Sequence, residues 1–460
     1  MVEFDSRQIW QTCCHKSYWI FLALLFVAPL PLGSNRPWAW GVLEVWIFLL
    51  VAMESIQGAM AGGSLREIPS RYRWALLTFI LWSLYPLWQI VPLSLSMLSW
   101  LSPTTLEIRR LAGLPDAAGS ISLDGFLTLQ SWLKGMAYLS GFWLTFIWTN
   151  SSQRMMRLFL VLLASGTFQA LYGLLMIQSD PYGTVSGTFV NRNHLAGLLE
   201  MTIPIGIGLM IGWMAPLRNS RRGVRETLLD WLHTASSRKG VLFMVIVIMI
   251  LAEFMTQSRS GNASFFCALL LVSGLAGMRV GHDSTSREKR LLVPLLIVAL
   301  LVGAWYGLGH LTGRLLKTDV LNDERMAVTL SSLRVFNDFK LFGSGAGTFA
   351  LIYPKYRQGE LTEVLLDHAH NDHVELLVEQ GMVGYGLLLI AVLSAWMVMV
   401  HGYLRRRDPF LRGVLFASLT GTFALTLHGL FDFNFHIPSN ALYFMVLLAM
   451  GMRASFLPAR

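Results

Sequence analysis

The chain has 460 residues, 54% of them hydrophobic and 14% charged, with a net charge of +9. That is too little charge to cover a soluble domain, and three cysteines cannot build a disulfide framework. The basic excess does not point to nucleic acid, because most Lys and Arg residues lie in short loops between apolar blocks.

Many of those blocks approach the ~20 residues that a helix needs to cross a bilayer. The first, Tyr18 to Leu32, carries Pro29 and Pro31 and lacks a small-x-small cleavage site, so it reads as an uncleaved span. Spans are expected near 18–33, 38–56, 74–92, 131–149, 156–178, 193–214, 240–256, 261–278, 291–309, 373–400, 411–430 and 437–455. Trp38, Trp40 and Trp74 sit at block ends, where amphipathic rings suit the headgroup layer. Cys13 and Cys14 precede the first span, and Cys267 lies inside one.

With the N-terminus in the cytoplasm, alternation makes every inner loop basic. These loops hold Arg66, Arg71 and Arg73; Arg154 and Arg157; Arg218, Arg221, Arg222, Arg225, Arg238 and Lys239; Arg279, Arg287, Lys289 and Arg290; and Arg405, Arg406 and Arg407. The expected fold is therefore an all-α polytopic membrane protein with about twelve transmembrane helices and both termini cytoplasmic. Two outer segments are long, Pro92 to about Gln130 and about His310 to Asp372, and loops of that length commonly have a job. The second, residues 310–372, ahead of the tenth helix, opens on a helix-like stretch, Asp323 to Lys340. Its apolar stripe of Met326, Leu330, Leu333 and Phe336 suits a helix lying on the membrane or packed on the bundle. The run Gly343 to Gly347 follows no strand and reads as a turn. No internal repeat is visible, so residues 1–460 are expected to form one domain.

Polar residues near membrane depth are functional candidates. The densest cluster is Asp367-His368-Ala369-His370-Asn371-Asp372-His373, three imidazoles and two carboxylates in seven residues. Imidazole is the natural general base near neutral pH. Other readings compete for the same residues: Asp372 with Glu375 fits an N-terminal capping box, Asn371 fits a cap, and His368 with His370 and an Asp fits a zinc site or a solvated loop. Other polar groups converge on the same face. Arg259 lies in an outer turn against the positive-inside bias, Arg192 and His194 lie at the mouth of span six, and Arg334 lies on the loop helix. Guanidinium groups bind phosphate oxygens in bidentate fashion, which suits a lipid-linked pyrophosphate. Glu200 and Glu253 are candidates for pairing within the bundle, and His428, Asp432 and His436 flank the last outer turn as possible cavity residues.

The stretch GSGAGTF, IYPKY and HAHNDHVELLVEQGMVG, within Gly343 to Gly384, resembles the signature region of the bacterial O-antigen ligase and polymerase superfamily. GTFVNRNHLAGLLEM, TQSRSG and LWQIVPLSLSMLSWLSP are similar to that family as well. The resemblance implies an inner-membrane glycosyltransferase that is metal-independent, takes no cofactor and works on the periplasmic side. Its donor would be a glycan on undecaprenyl pyrophosphate. Its acceptor would be a sugar hydroxyl, on lipid A–core for a ligase or on another lipid-linked glycan for a polymerase; a protein O-oligosaccharyltransferase is a further relative. Carried over by motif, the general base falls on His370, with His368 as second choice, and the pyrophosphate-binding arginines on Arg259, Arg334 and Arg192. A transporter, the alternative outside this class, would place its polar site near the midplane and show repeats.

Overall fold

The computed structural model describes residues 6–60, 70–114, 118–179, 183–213, 237–277, 324–357 and 366–458. The long helices are α1 (Ser6–Val27), α2 (Pro37–Met60), α3 (Ser70–Gln89), α4 (Gly125–Trp148), α5 (Ser152–Met176), α6 (Arg192–Trp213), α7 (Arg238–Met255), α8 (Arg259–Gly277), α9 (Glu324–Asp338), α10 (Asp372–Arg405), α11 (Pro409–His428) and α12 (Pro438–Ala454). No strand occurs among the described residues; one bridge pairs Leu93 with Gly119. Eleven of the expected spans fall on these helices. The ninth, near 291–309, lies outside the described residues, as do residues 310–323 and 358–365 of the long loop and the basic residues Arg66, Arg218 to Arg225 and Arg279 to Arg290. Five helices, α2, α5, α6, α10 and α11, are long and apolar enough by composition to cross a membrane. The chain is a helical membrane protein.

Boundaries moved where prolines and caps decide them. α1 starts earlier than expected and stops at Val27, because Pro29 and Pro31 cannot continue it; the chain then turns through Leu32–Ser34. Ser151, Ser237 and Asp408 cap α5, α7 and α11 through their side chains.

α6 is the axis of the bundle and is buried along nearly its whole length. It packs chiefly on α11, with α5, α7 and α8 around it. At the α6–α11 crossing the two backbones meet at Gly208 and Gly413; a Cβ on Gly208 would lie 2.2 Å from the Gly413 carbonyl oxygen. The main core fills in from both sides with Phe142, Phe159, Leu199, Phe416 and Tyr443.

Of the two arrangements expected for the apolar stripe of α9, the structure does not show the one packed on the bundle. Met326, Leu330 and Leu333 are exposed and Phe336 half-buried, while Val328, Val335 and, just past the helix, Phe339 form the packed face. The 3.6-residue period fits either stripe. Ser331 and Ser332 settle the choice, because their hydroxyls turn back to the Val328 carbonyl oxygen and leave a flat surface on which Tyr353 closes.

One distortion builds the site end of the bundle. Gly381 has φ +63° and breaks α10 into two segments. The loop after α9 docks into the break: Met382 N donates to Lys340 O (2.8 Å), and Ser344 N and Gly345 N donate to the carbonyls of Val378 and Glu379 (2.9 and 3.0 Å). Gln89, at the end of α3, donates to Phe342 O and Glu379 O. The glycine run 343–347 is thus a turn, as expected, and also the plug of the kink.

A Cβ at Gly381 would lie 2.3 Å from Leu341 O in a backbone conformation that L residues disfavour. Gly381→Ala should therefore destabilise by roughly 2 kcal/mol or more. Gly386, five residues on, has nothing within 4 Å of its would-be Cβ, so Gly386→Ala should be neutral. Thermal unfolding in detergent, followed by fluorescence size exclusion, compares the two; equal midpoints would remove the kink from this account.

Candidate active site

The site forms where the C-terminal ends of α3, α7 and α11 meet the N-terminal ends of α4, α6, α8, α10 and α12. The basic residues Arg154, Arg157, Arg238, Lys239 and Arg405 to Arg407 sit at the opposite ends of their helices.

Asn371 caps α10: its Oδ1 accepts from His373 N and Val374 N, both at 3.1 Å. The expected capping box of Asp372 with Glu375 does not form. Asp372 is instead free to turn into the protein, and its own N–H donates to Gly429 O at 2.8 Å. Asp372, Glu375 and Glu379 share one face of α10, three and four residues apart, and all three are buried. That face meets the turn between α11 and α12, which carries Asp432, Phe433 and His436.

His436 is the bridge. Its Nδ1 donates to Asp372 Oδ1 (2.9 Å) and its Nε2 faces Glu375 Oε1 (3.1 Å). Both ring nitrogens thus face carboxylate oxygens, which only accept, and that arrangement favours the charged imidazolium. Burial opposes that charge, but Glu375, Asp372 and Glu379 outweigh it and push the pKa up to about 9. Glu375 also accepts from His368 Nδ1 (2.9 Å) and Ala369 N (2.8 Å). His368 therefore exposes Nε2 as its basic nitrogen.

Asp432 organises a second group. It is fully buried, accepts from Phe433 N and Asn193 Nδ2, and pairs with Arg325 Nη1 at 3.4 Å. His370 Nδ1 lies 3.7 Å from its Oδ1, close enough to interact electrostatically but beyond a hydrogen bond. Burial alone would raise the Asp432 pKa; His370, His194, Arg325 and His428 outweigh it and hold the carboxyl well below its usual range. His370 itself has φ +51°, a conformation that a non-glycine residue adopts only when its surroundings enforce it.

Beneath this layer, His428 Nδ1 pairs with Glu200 Oε1 at 3.1 Å, as expected for Glu200. Glu253 is buried nearby with no hydrogen-bond partner among the described residues. The third histidine of the loop, His373, is structural: its Nε2 donates to Thr426 O (2.9 Å), so Nδ1 accepts from Tyr385 OH (2.8 Å).

The structure thus brings together His368, His370, Asn371, Asp372, Glu375, Asp432, His436 and His194, with His428 below. Arg192 and Arg259 begin α6 and α8; Arg192 is half-buried and Arg259 exposed, and Gly261 in the turn of α8 lies against His428. Arg334 is not brought to the cluster. It is exposed and lies nine residues from Arg325, two and a half turns, hence on the opposite side of α9. Sequence reasoning missed Arg325, although a helical-wheel comparison of the two arginines would have raised it. Phe433 and Asn193 carried no signal in the chain.

His368, Glu375 and His436 present three ligand atoms within 4.8 Å of one another, a set that could hold a metal ion. In this structure Glu375 Oε1 is hydrogen-bonded to His368 and pairs with His436. Beside the cluster, an apolar cleft of about 190 Å³ opens between α3, α4, α10 and α12. Trp82, Trp132, Leu389 and Phe444 line it, and Lys134, Glu379 and His436 supply its polar groups.

The pH response follows from His436. Its pKa is near 6.5 unfolded and about 9 folded, so its stabilising charge is complete below about pH 6.5 and lost as pH rises through 9. The unfolding midpoint in detergent should fall over that window, and His436→Gln should start lower and fall less. Identical pH slopes for the two proteins would contradict the assignment.

Residues 244–389 match the family model described as O-Antigen ligase. The match runs from α7 through the first half of α10. It contains Arg259, Arg325, Arg334, the His368–Glu379 segment and the Gly381 kink, while Asp432 and His436 lie beyond it. No curated protein matches the chain. Residues 244–389 are thus similar to the O-antigen ligase family, whose members are glycosyl-transfer enzymes, and the match supports the O-antigen ligase-like superfamily for this membrane protein.

Proposed function

We propose that the protein transfers a glycan from undecaprenyl pyrophosphate to an acceptor sugar hydroxyl at the periplasmic face of the bacterial inner membrane, in the manner of an O-antigen ligase with lipid A–core as acceptor. The observation that carries this reading is the pair of loop imidazoles, His368 and His370, set on buried carboxylates; the histidines and Glu375 lie within the family-matched stretch, and Asp432 comes from the turn between α11 and α12. His370 is the general base. Asp432, ionised, stands at its Nδ1 and stabilises the imidazolium that forms. His368 on Glu375 is the second imidazole of the site.

The step balances without a metal or nucleotide. His370 takes the proton of the acceptor hydroxyl, the acceptor oxygen bonds C1 of the donor sugar, and the C1–O bond to phosphate breaks. Undecaprenyl pyrophosphate leaves, and attack from the opposite side inverts C1. Arg259, with Arg192 as a further candidate, neutralises the charge that develops on the pyrophosphate. The apolar cleft, with His436 on its wall, supports a lipid-borne substrate, because it offers an alkyl or isoprenoid chain a place next to the polar cluster. The basic helix ends opposite the site support the periplasmic orientation.

In a deletion strain, wild-type protein should restore long chains on lipid A–core, and His370→Ala should not, although it accumulates in the membrane; base catalysis is typically worth ~10²–10⁴-fold. Long chains restored by His370→Ala would end the assignment, and a deletion strain that makes single-repeat caps would indicate a polymerase instead. Arg259→Ala should raise the KM for donor, and Arg259→Lys should recover it only in part, because ammonium lacks the bidentate fork. Full recovery with Lys would mean that charge alone is used there.

A further inference from the structure

Phe433 has no role in the chemistry above, yet it lies at the centre of the imidazoles. Its ring stacks on His368 (centroids 4.4 Å apart, planes at 21°). It also meets His370 nearly edge-on at 5.0 Å and His194 at 4.7 Å. These three histidines come from two parts of the chain, the loop before α10 and the start of α6, and Phe433 touches all of them. The ring is itself anchored. Phe433 N donates to Asp432 Oδ1 at 2.9 Å, and His436 N donates to Phe433 O at 3.2 Å, so the tight turn after α11 fixes its backbone.

His370 needs such support. Its backbone is held at φ +51°, and its buried Nδ1 makes no hydrogen bond among the described residues. The Asp432 carboxylate at 3.7 Å attracts the ring without setting its orientation, because a Coulombic contact has little angular preference. An aromatic face does set it, since edge-to-face and offset-stacked geometries are preferred over others. We propose that Phe433 is a positioning residue for the site, the wall that fixes the ring orientations of His368 and His370 against Glu375 and Asp432. One turn then delivers three parts: the carboxylate of Asp432, the wall of Phe433 and the cation of His436. The proposal rests on the glycosyl-transfer reading for its consequence in catalysis, but the orientation of the rings is measurable without it.

Phe433→Leu keeps an apolar side chain and removes the flat face, whereas Phe433→Tyr keeps the ring. The full-length proteins in detergent are treated with diethyl pyrocarbonate, which acylates accessible neutral imidazole, and labelling at each histidine is followed by mass spectrometry. His401, exposed near the far end of α10, is the internal reference. Phe433→Leu should label His368 and His370 several-fold faster than wild type with His401 unchanged, and Phe433→Tyr should match wild type. With an undecaprenyl-pyrophosphate-linked oligosaccharide and lipid A–core as substrates, Phe433→Leu should lower kcat by roughly 10-fold or more, with KM for donor nearly unchanged, as expected for misplaced catalytic groups. Unchanged labelling at both histidines overturns the proposal, and so does faster labelling at His401 as well, which would mean a general loosening of the fold. If His370→Ala retains transfer, the functional reading fails, and the labelling still decides the role of Phe433.

Discussion

Three buried carboxylates, Asp372, Glu375 and Asp432, set the terms for this end of the molecule. A buried ionised carboxylate is costly unless it is paired and hydrogen-bonded. Here the compensation comes from imidazoles and one arginine, with backbone N–H groups filling the remaining acceptor sites. Imidazole is suited to the task because it presents a nitrogen in two directions, as His436 does, hydrogen-bonding Asp372 and pairing with Glu375. His368 and His370, like His436, keep part of their surface open, and these two each direct one nitrogen at a carboxylate. A structural requirement and a chemical opportunity therefore coincide in the same groups.

The kink at Gly381 makes that geometry possible. An uninterrupted α10 would bond Val378 and Glu379 carbonyls to its own later turns. The break releases them to the 343–345 loop, and the Glu379 carboxylate is left to accept from Phe349 N. The second apolar cluster, built from Val328, Val335, Phe349, Tyr353 and Val378, then holds α9 over the start of α10. Arg325 reaches Asp432 from that helix, so the loop before α10 belongs to the site as much as to its cover.

The two sides of the site differ in character. Arg192 and Arg259 stand at the starts of α6 and α8, where helix N-termini favour anions. The apolar cleft lies on the other side, between α3, α4, α10 and α12. α8 packs on α6 and α11, which separates these two regions by the central pair of helices. The two arginines and the apolar cleft thus occupy distinct places.

Much of this was legible in the chain. Long apolar blocks with basic connections determine a helical membrane protein, because hydrocarbon leaves the backbone no partner but itself. Eleven of the expected spans coincide with helices, and the histidine-rich segment before α10 is at the centre of the site. Periodicity could not choose the packed face of α9, since Met326–Leu330–Leu333 and Val328–Val335 both repeat at helical spacing. Nor could it show that Asn371, rather than Asp372, caps α10, because both are good caps and only the position of Gly429 and His436 draws Asp372 inward. The sequence by itself determined the class of fold, the helices and the identity of the loop histidines. Only the tertiary structure decided their partners, because Asp432, Phe433 and His436 lie some sixty residues downstream and approach the loop through the packing of α11 and α12, a long-range contact that no local pattern encodes.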